Sequence, residues 1–144
     1  MPMFDPQLPI AELMRAQVHY LAPTDLLADA LAIFDKHQVN HLPVCAQGKV
    51  VGMLSRHDTN RLQHSFTAFG TAESQQFNKK IVASLIVKDV MTKGVVTLGI
   101  NQTIQDAAAV FKTSAFHSLV IVAEDGQTLA GIVTVMDLLH YAYS

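Results

Sequence analysis

Residues 6 to 64 and 83 to 143 of this 144-residue chain are two versions of one pattern, and that duplication limits the fold more than any other feature. At an offset of 77, Met14 falls on Met91, Val18 on Val95, Leu21 on Leu98, Asp29 on Asp106, Ala30 on Ala107, Ala32 on Ala109, Phe34 on Phe111 and Leu42 on Leu119. Past an insertion around Glu124-Asp125-Gly126 the offset becomes 79, which sets Gly52 on Gly131, Ser55 on Thr134 and Asp58 on Asp137. A unit of about 60 residues buries only about 60% of its unfolded surface, against roughly 70% for a chain of this full length. The halves are therefore expected to need each other.

Each half predicts the same elements. Leu27, Ala30, Leu31 and Phe34 recur at helical spacing, and Ile104, Ala107, Ala108 and Phe111 repeat the stripe, which predicts one amphipathic helix per half. Thr24 and Asn101, equivalent in the repeat, are expected as its N-caps. Ahead of each helix lies a short β-prone stretch, residues 18–21 and 95–98, ending in the breakers Pro23 and Gly99. Two strands follow, 41–45 with 49–54 and 118–123 with 128–133, joined by tight turns. A last helix closes each half, 55–64 and 134–143. The order predicts an α/β (α+β) fold of two βαββα repeats, with small sheets covered by helices. Residues 65–82 join the repeats, and their polar composition, with Gly70, Thr71, Ser74 and Asn78, reads as a linker with a helical extension at its start.

Composition excludes several function classes. Half the residues are hydrophobic, 15% are charged and mean hydropathy is +0.27, which rules out disorder. Ten Lys and Arg against 12 Asp and Glu lack the basic excess that nucleic-acid binding demands. Apolar runs such as 83–87 and 119–123 are far short of the roughly 20 residues that span a bilayer. No basic-then-apolar leader opens the chain, and the single Cys45, in an apolar run, suits a reducing compartment as a small buried hydrophobe. A cytoplasmic location is expected.

The opening segments of the two copies are Ile10-Ala11-Glu12-Leu13-Met14 and Val87-Lys88-Asp89-Val90-Met91, followed by His41-Leu42-Pro43-Val44 and Ser118-Leu119-Val120-Ile121. Each copy then carries a heptapeptide, Gly52-Met53-Leu54-Ser55-Arg56-His57-Asp58 and Gly131-Ile132-Val133-Thr134-Val135-Met136-Asp137. On these motifs nearly the whole chain resembles the tandem cystathionine-β-synthase (CBS) domain pair, or Bateman module. The resemblance implies a pseudo-twofold pair of βαββα units, commonly dimerised into a flat four-copy disc. It also implies an adenosine-containing ligand, AMP, ADP, ATP or S-adenosylmethionine, in the cleft between copies, no required cofactor, no catalysis, and a regulated partner in another chain.

The Ser/Thr-x-x-Asp step is where such chemistry could reside. A hydroxyl at Ser55 or Thr134, with the free N–H groups of the first helical turn, makes an anion site for phosphate. Asp58 or Asp137 offers two oxygens to the ribose hydroxyls. Since a carboxylate repels phosphate, the aspartate is expected on the sugar. Arg56 could add a charge for phosphate, and its counterpart is Val135, so the Ser55 and Asp58 site is expected to favour more phosphate. The same tetrad is also a capping box that needs no ligand, and one hydroxyl can serve both roles. The resemblance further implies base contacts from the other copy: Leu21 to Thr24, Asn40, His41 and Pro43 for Thr134 and Asp137, with Thr97, His117 and Ser118 for Ser55 and Asp58. Val120 and Ile100 replace the prolines of the first copy, Pro43 and Pro23, at the second wall.

Seven histidines raise a metal-dependent enzyme as another class, but His37 and His41 straddle an expected helix end and no carboxylate stands at zinc-like spacing from the rest, so no metal is expected. No nucleophile elbow, P-loop or dinucleotide fingerprint is present. A ligand-free dimerisation platform is the alternative to the sensor. Leu138, Leu139, Tyr141 and Tyr143 on the last helix are candidates for a homodimer surface, and Met14 and Met91 for packing between copies.

Overall fold

The computed structural model describes residues 4–67, 71–113 and 117–143. After a 3-10 turn at Ile10–Glu12, the elements are α1 (Leu27–His37), β1 (His41–Ala46), β2 (Lys49–Ser55), α2 (Arg56–Thr67), α3 (Ala72–Ala83), α4 (Val87–Val90), β3 (Thr97–Gly99), α5 (Ile104–Thr113), β4 (Ser118–Val122), β5 (Leu129–Thr134) and α6 (Val135–Ala142). β1 pairs with β2 through a two-residue turn in which Gln47 and Gly48 both adopt positive φ, the combination that matches strand twist. β3, β4 and β5 form a second sheet. There β3 runs parallel to β4 and β4 antiparallel to β5, with Leu98 opposite Ile121 and Ser118 opposite Thr134.

The chain forms two units, and they do not coincide with the two repeats. One gathers the residues up to Val18, Gly48–Val50 and those from Val96 onward; the other holds His19–Gln47 and Val51–Val95. Each repeat thus sends its opening segment into the unit that holds most of the other repeat. In the first unit, Arg15 pairs with Ile132 and Pro9 with Thr103; in the second, Thr92 pairs with Met53 and Ile86 with Leu26. Met14 and Met91 accordingly pack against the other copy, on Gly131 and Gly52.

The two cores use equivalent positions. Ile10, Leu98, Ile104, Ala107, Leu119, Ile121 and Val133 fill the first. In the second unit, Val87, Leu21, Leu27, Ala30, Leu42, Val44 and Leu54 take the same places, joined by Phe34 and Val82. At roughly 1.5–3 kcal/mol for each fully buried aliphatic side chain, such a cluster supplies the main stabilisation of units this small. Cys45 is buried beside this core, where desolvation raises its thiol pKa.

Three details depart from the expected elements. Thr24 and Asn101 are not the caps. The bridge from Leu26 to Ile86 holds Leu26 extended, so α1 starts one residue later, with the Asp29 carboxylate accepting from the Leu26 N–H at 3.0 Å. In the other unit Pro9 holds Thr103 in the same way, and the Thr103 hydroxyl accepts from the Asp106 N–H at 3.3 Å. The expected first strand of repeat 1 shrinks to one parallel bridge, Leu21 to Val44. Residues 72–83, polar enough to read as linker, form α3, whose Val82 is wholly buried. The rest of that segment includes residues 68–70, which lie outside the described residues. Among the described residues, no helix is long and apolar enough to cross a membrane.

Candidate functional site

In the first unit β5 ends at Thr134 and α6 begins immediately, so an extended residue (φ −117°, ψ 163°) stands at the N-terminus of a helix, whose first-turn N–H groups lack intrahelical partners. The Thr134 Oγ1 accepts from the Asp137 N–H at 3.1 Å, and Asp137 Oδ2 accepts from the Thr134 N–H at 2.8 Å. This is a complete capping box. The other carboxylate oxygen, Oδ1, accepts from Arg15 Nη2 at 3.3 Å, and the Asp137 side chain is only 12% exposed against 68% for Arg15. The Arg15 backbone is locked beside β5, donating to the Ile132 carbonyl at 2.8 Å and accepting from the Ile132 N–H at 3.1 Å. Gly131 allows this approach: a Cβ there would sit 2.7 Å from the Arg15 carbonyl oxygen. The glycine of the heptapeptide is thus explained by the chain segment laid across it.

His117 and Ser118 flank the same step. The His117 carbonyl accepts from the Val135 N–H at 2.9 Å, and Ser118, nearly buried, lies opposite Thr134. Thr97 is half-buried on β3, opposite Val120.

The second unit builds the equivalent cradle with different partners. The Ser55 Oγ at the end of β2 accepts from the Asp58 N–H at 3.0 Å. The Asp58 carboxylate takes Arg61, one turn along α2, at 3.1 Å. Thr92 stands where the other unit has Arg15, its backbone paired with Met53 at 2.9 and 3.0 Å. A pocket of about 480 Å³ opens beside this cradle, lined in part by Leu54, Asp58, Thr59, Arg61, Asp89 and Thr92. Arg61, Asp89 and Thr92 were not singled out by sequence, and neither was Arg15. For Arg15, Asp89 and Thr92 the signal lies in and beside the repeated opening segments and becomes readable only once each segment is known to cross to the other repeat; for Arg61 it is the three-residue spacing from Asp58 on α2.

Arg56 has a distinct task in this structure. Its guanidinium donates to the Phe34 carbonyl and to that of Val39 at 3.4 Å, pairs with Asp35 at 3.4 Å and lies over the Phe34 ring. It therefore satisfies the carbonyl end of α1, where a cation is favoured. The Asn40 carbonyl accepts from the Arg56 N–H at 2.8 Å, as that of His117 accepts from Val135. Leu21 is wholly buried, its N–H donating to Pro43 and its carbonyl accepting from Cys45, so both backbone groups are occupied. Pro43 is buried, His41 is half-buried and Thr24 is exposed. His37 stacks on His19 at 3.8 Å; desolvation of the ring, then the charges of His19 and Lys36, lower its pKa.

The family model of the CBS domain matches residues 10–63 and again 87–144. Inosine-5′-monophosphate dehydrogenase of Korarchaeum cryptofilum is 28% identical over 120 residues, 83% of this chain. The chain spans only 21% of that enzyme's length. Among solved structures, MJ1225 of Methanocaldococcus jannaschii superposes with a TM-score of 0.80 at 22% identity, over 95% of this chain and 48% of that one. CBSX2 of Arabidopsis thaliana, in complex with AMP, gives a TM-score of 0.75 at 25% identity, over 94% of this chain and 96% of that one. With two matched segments, a repeated core and a repeated strand-to-helix cradle, this chain belongs to the CBS domain family, as a tandem pair.

Proposed function

We propose that this chain is a non-enzymatic regulatory module that binds an adenosine-containing ligand, AMP, ADP, ATP or S-adenosylmethionine, and reports its occupancy to a partner protein in the cytoplasm. The observation that carries the reading is the cradle itself, present once in each unit. A hydroxyl, a helix N-terminus and an aspartate three residues on stand together at Thr134 and Asp137, and again at Ser55 and Asp58. Asp137 and Asp58 take the ribose hydroxyls, while Thr134 and Ser55 with the first-turn N–H groups take phosphate. The AMP complex of CBSX2 supports the ligand class. His41, Asn40, Thr24, Pro43 and Leu21, with Thr97, His117 and Ser118, remain the proposed walls for the base. A phosphate role for Arg56 requires its guanidinium to leave the α1 carbonyls.

Thermal melting with each adenosine compound is the test. Ligand at 100 times its dissociation constant adds about 2.7 kcal/mol to native stability, and Asp137→Ala is expected to reduce the shift while the fold survives. Absence of any shift at millimolar concentration refutes the reading.

The exposed face of α6 supports homodimerisation as an accompanying feature. Met136, Leu139 and Tyr143 are exposed there, whereas Leu138 and Tyr141 pack inward. Sedimentation across a concentration range is expected to show a dimer.

A further inference from the structure

We infer that Arg15 makes the Thr134–Asp137 cradle select ligands that carry a 5′ phosphate over the bare nucleoside. The inference rests on the adenosine reading and adds a specificity-determining residue to it. Asp137 presents a difficulty to any nucleotide, because the carboxylate that suits a ribose repels the phosphate attached to that ribose. The cradle needs a cation close enough to offset the repulsion and loose enough to move with the ligand.

Arg15 meets both conditions. Its backbone is fixed by two hydrogen bonds to Ile132, and Gly131 lets it lie close. Its side chain is 68% exposed and pairs at 3.3 Å with Asp137 Oδ1. The capping box holds Oδ2 on the Thr134 N–H, so Oδ1 is the oxygen that a ribose hydroxyl would approach. An incoming sugar therefore competes with the guanidinium for that oxygen. A nucleoside offers nothing in return for the displaced pair, whereas a nucleotide brings its phosphate within reach of a five-donor planar fork suited to phosphate oxygens. The same residue penalises the uncharged ligand and rewards the charged one.

The other unit draws its cation from elsewhere. Thr92 occupies the position equivalent to Arg15, Asp58 pairs with Arg61 of its own helix at 3.1 Å, and Asp89 lines the same pocket, so two carboxylates share it with that guanidinium. On this inference the stronger preference for phosphate belongs to Thr134 and Asp137, whereas the expectation drawn from Arg56 favours Ser55 and Asp58.

Calorimetric titrations of AMP and adenosine test the inference, with Asp58→Ala as the background so that the signal reports the Thr134–Asp137 cradle. AMP is expected to bind about tenfold or more tightly than adenosine, a ratio suited to one charge-assisted contact. Adding Arg15→Gln should lower AMP affinity about tenfold while adenosine binds as well or better, and Arg15→Lys should restore part of the ratio. An unchanged ratio in Arg15→Gln, or equal losses for both ligands, overturns the inference and leaves the adenosine reading standing. AMP binding that vanishes in the Asp58→Ala background also overturns it, because the ligand then sits at the other cradle. Failure of both compounds to bind the unsubstituted chain overturns the adenosine reading and this inference together.

Discussion

Where Ile10 closes the core of one unit, Val87 closes the other, and the remaining places match in turn: Leu98 with Leu21, Ile104 with Leu27, Ala107 with Ala30, Leu119 with Leu42, Ile121 with Val44 and Val133 with Leu54. At the two cradles the correspondence fails. Arg15 faces Asp137 in one, while its equivalent Thr92 leaves Asp58 to Arg61 in the other. Arg56 ties α2 to the end of α1, whereas Val135 has no charge to offer. The difference has a physical origin. A close-packed interior tolerates little change in volume or register. A half-exposed rim loses little when one charge is exchanged for another, so duplicated cores stay alike while duplicated sites diverge.

The likeness of the cores is the easiest half of the comparison to break. Ile10→Ala is expected to cost about 2–5 kcal/mol and Val87→Ala about 1–3 kcal/mol, both read by urea unfolding. A loss under about 0.5 kcal/mol at either position would show that the crossing segment does not hold that core together.

A smaller effect separates the two opening segments. Gly131→Ala drives a Cβ into the Arg15 backbone, 2.7 Å from its oxygen, and is expected to cost about 1–3 kcal/mol. Gly52→Ala meets the movable end of Met91 first, with the Thr92 oxygen at 3.0 Å, and should cost less. Equal losses would remove this distinction.

Acid sensitivity is the smallest effect and assigns one pH window to each unit. In the second, the depressed pKa of His37 means that the unfolded ring takes up its proton first. Stability contributed by its neutral form is therefore complete above the ordinary histidine value of 6.5 and declines as pH falls below it. In the first, the Thr128 hydroxyl, then the Thr128 and Gln127 N–H groups, lower Asp125 from 3.8 to about 2. Its contribution is complete above the unfolded value and is lost as pH falls toward about 2. Melting temperature against pH should flatten below neutrality in His37→Gln and only at the acid end in Asp125→Asn. One shared window for both variants would contradict these origins.

Much of this was legible in the sequence. The helical stripes of Leu27 to Phe34 and Ile104 to Phe111 marked α1 and α5, because burial of one face imposes its period on the residues. Ser55 and Asp58, with Thr134 and Asp137, were legible because a strand-to-helix step needs a hydroxyl and an acid at fixed spacing. The helix starts were not, since Thr24 and Asn101 have the right chemistry but long-range bridges hold Leu26 and Thr103 extended. α3 was hidden by its polar composition, its docking resting in part on the buried Val82.

The sequence by itself determined the duplication, the elements of each copy and the two places where a hydroxyl meets an aspartate, because these follow from local periodicity and spacing. Only the tertiary structure decided which opening segment serves which core, and hence that Arg15 from the start of the chain stands on Asp137 near its end. The two segments share one pattern, so each suits either core on local grounds; the choice lies in contacts that form only when both are folded.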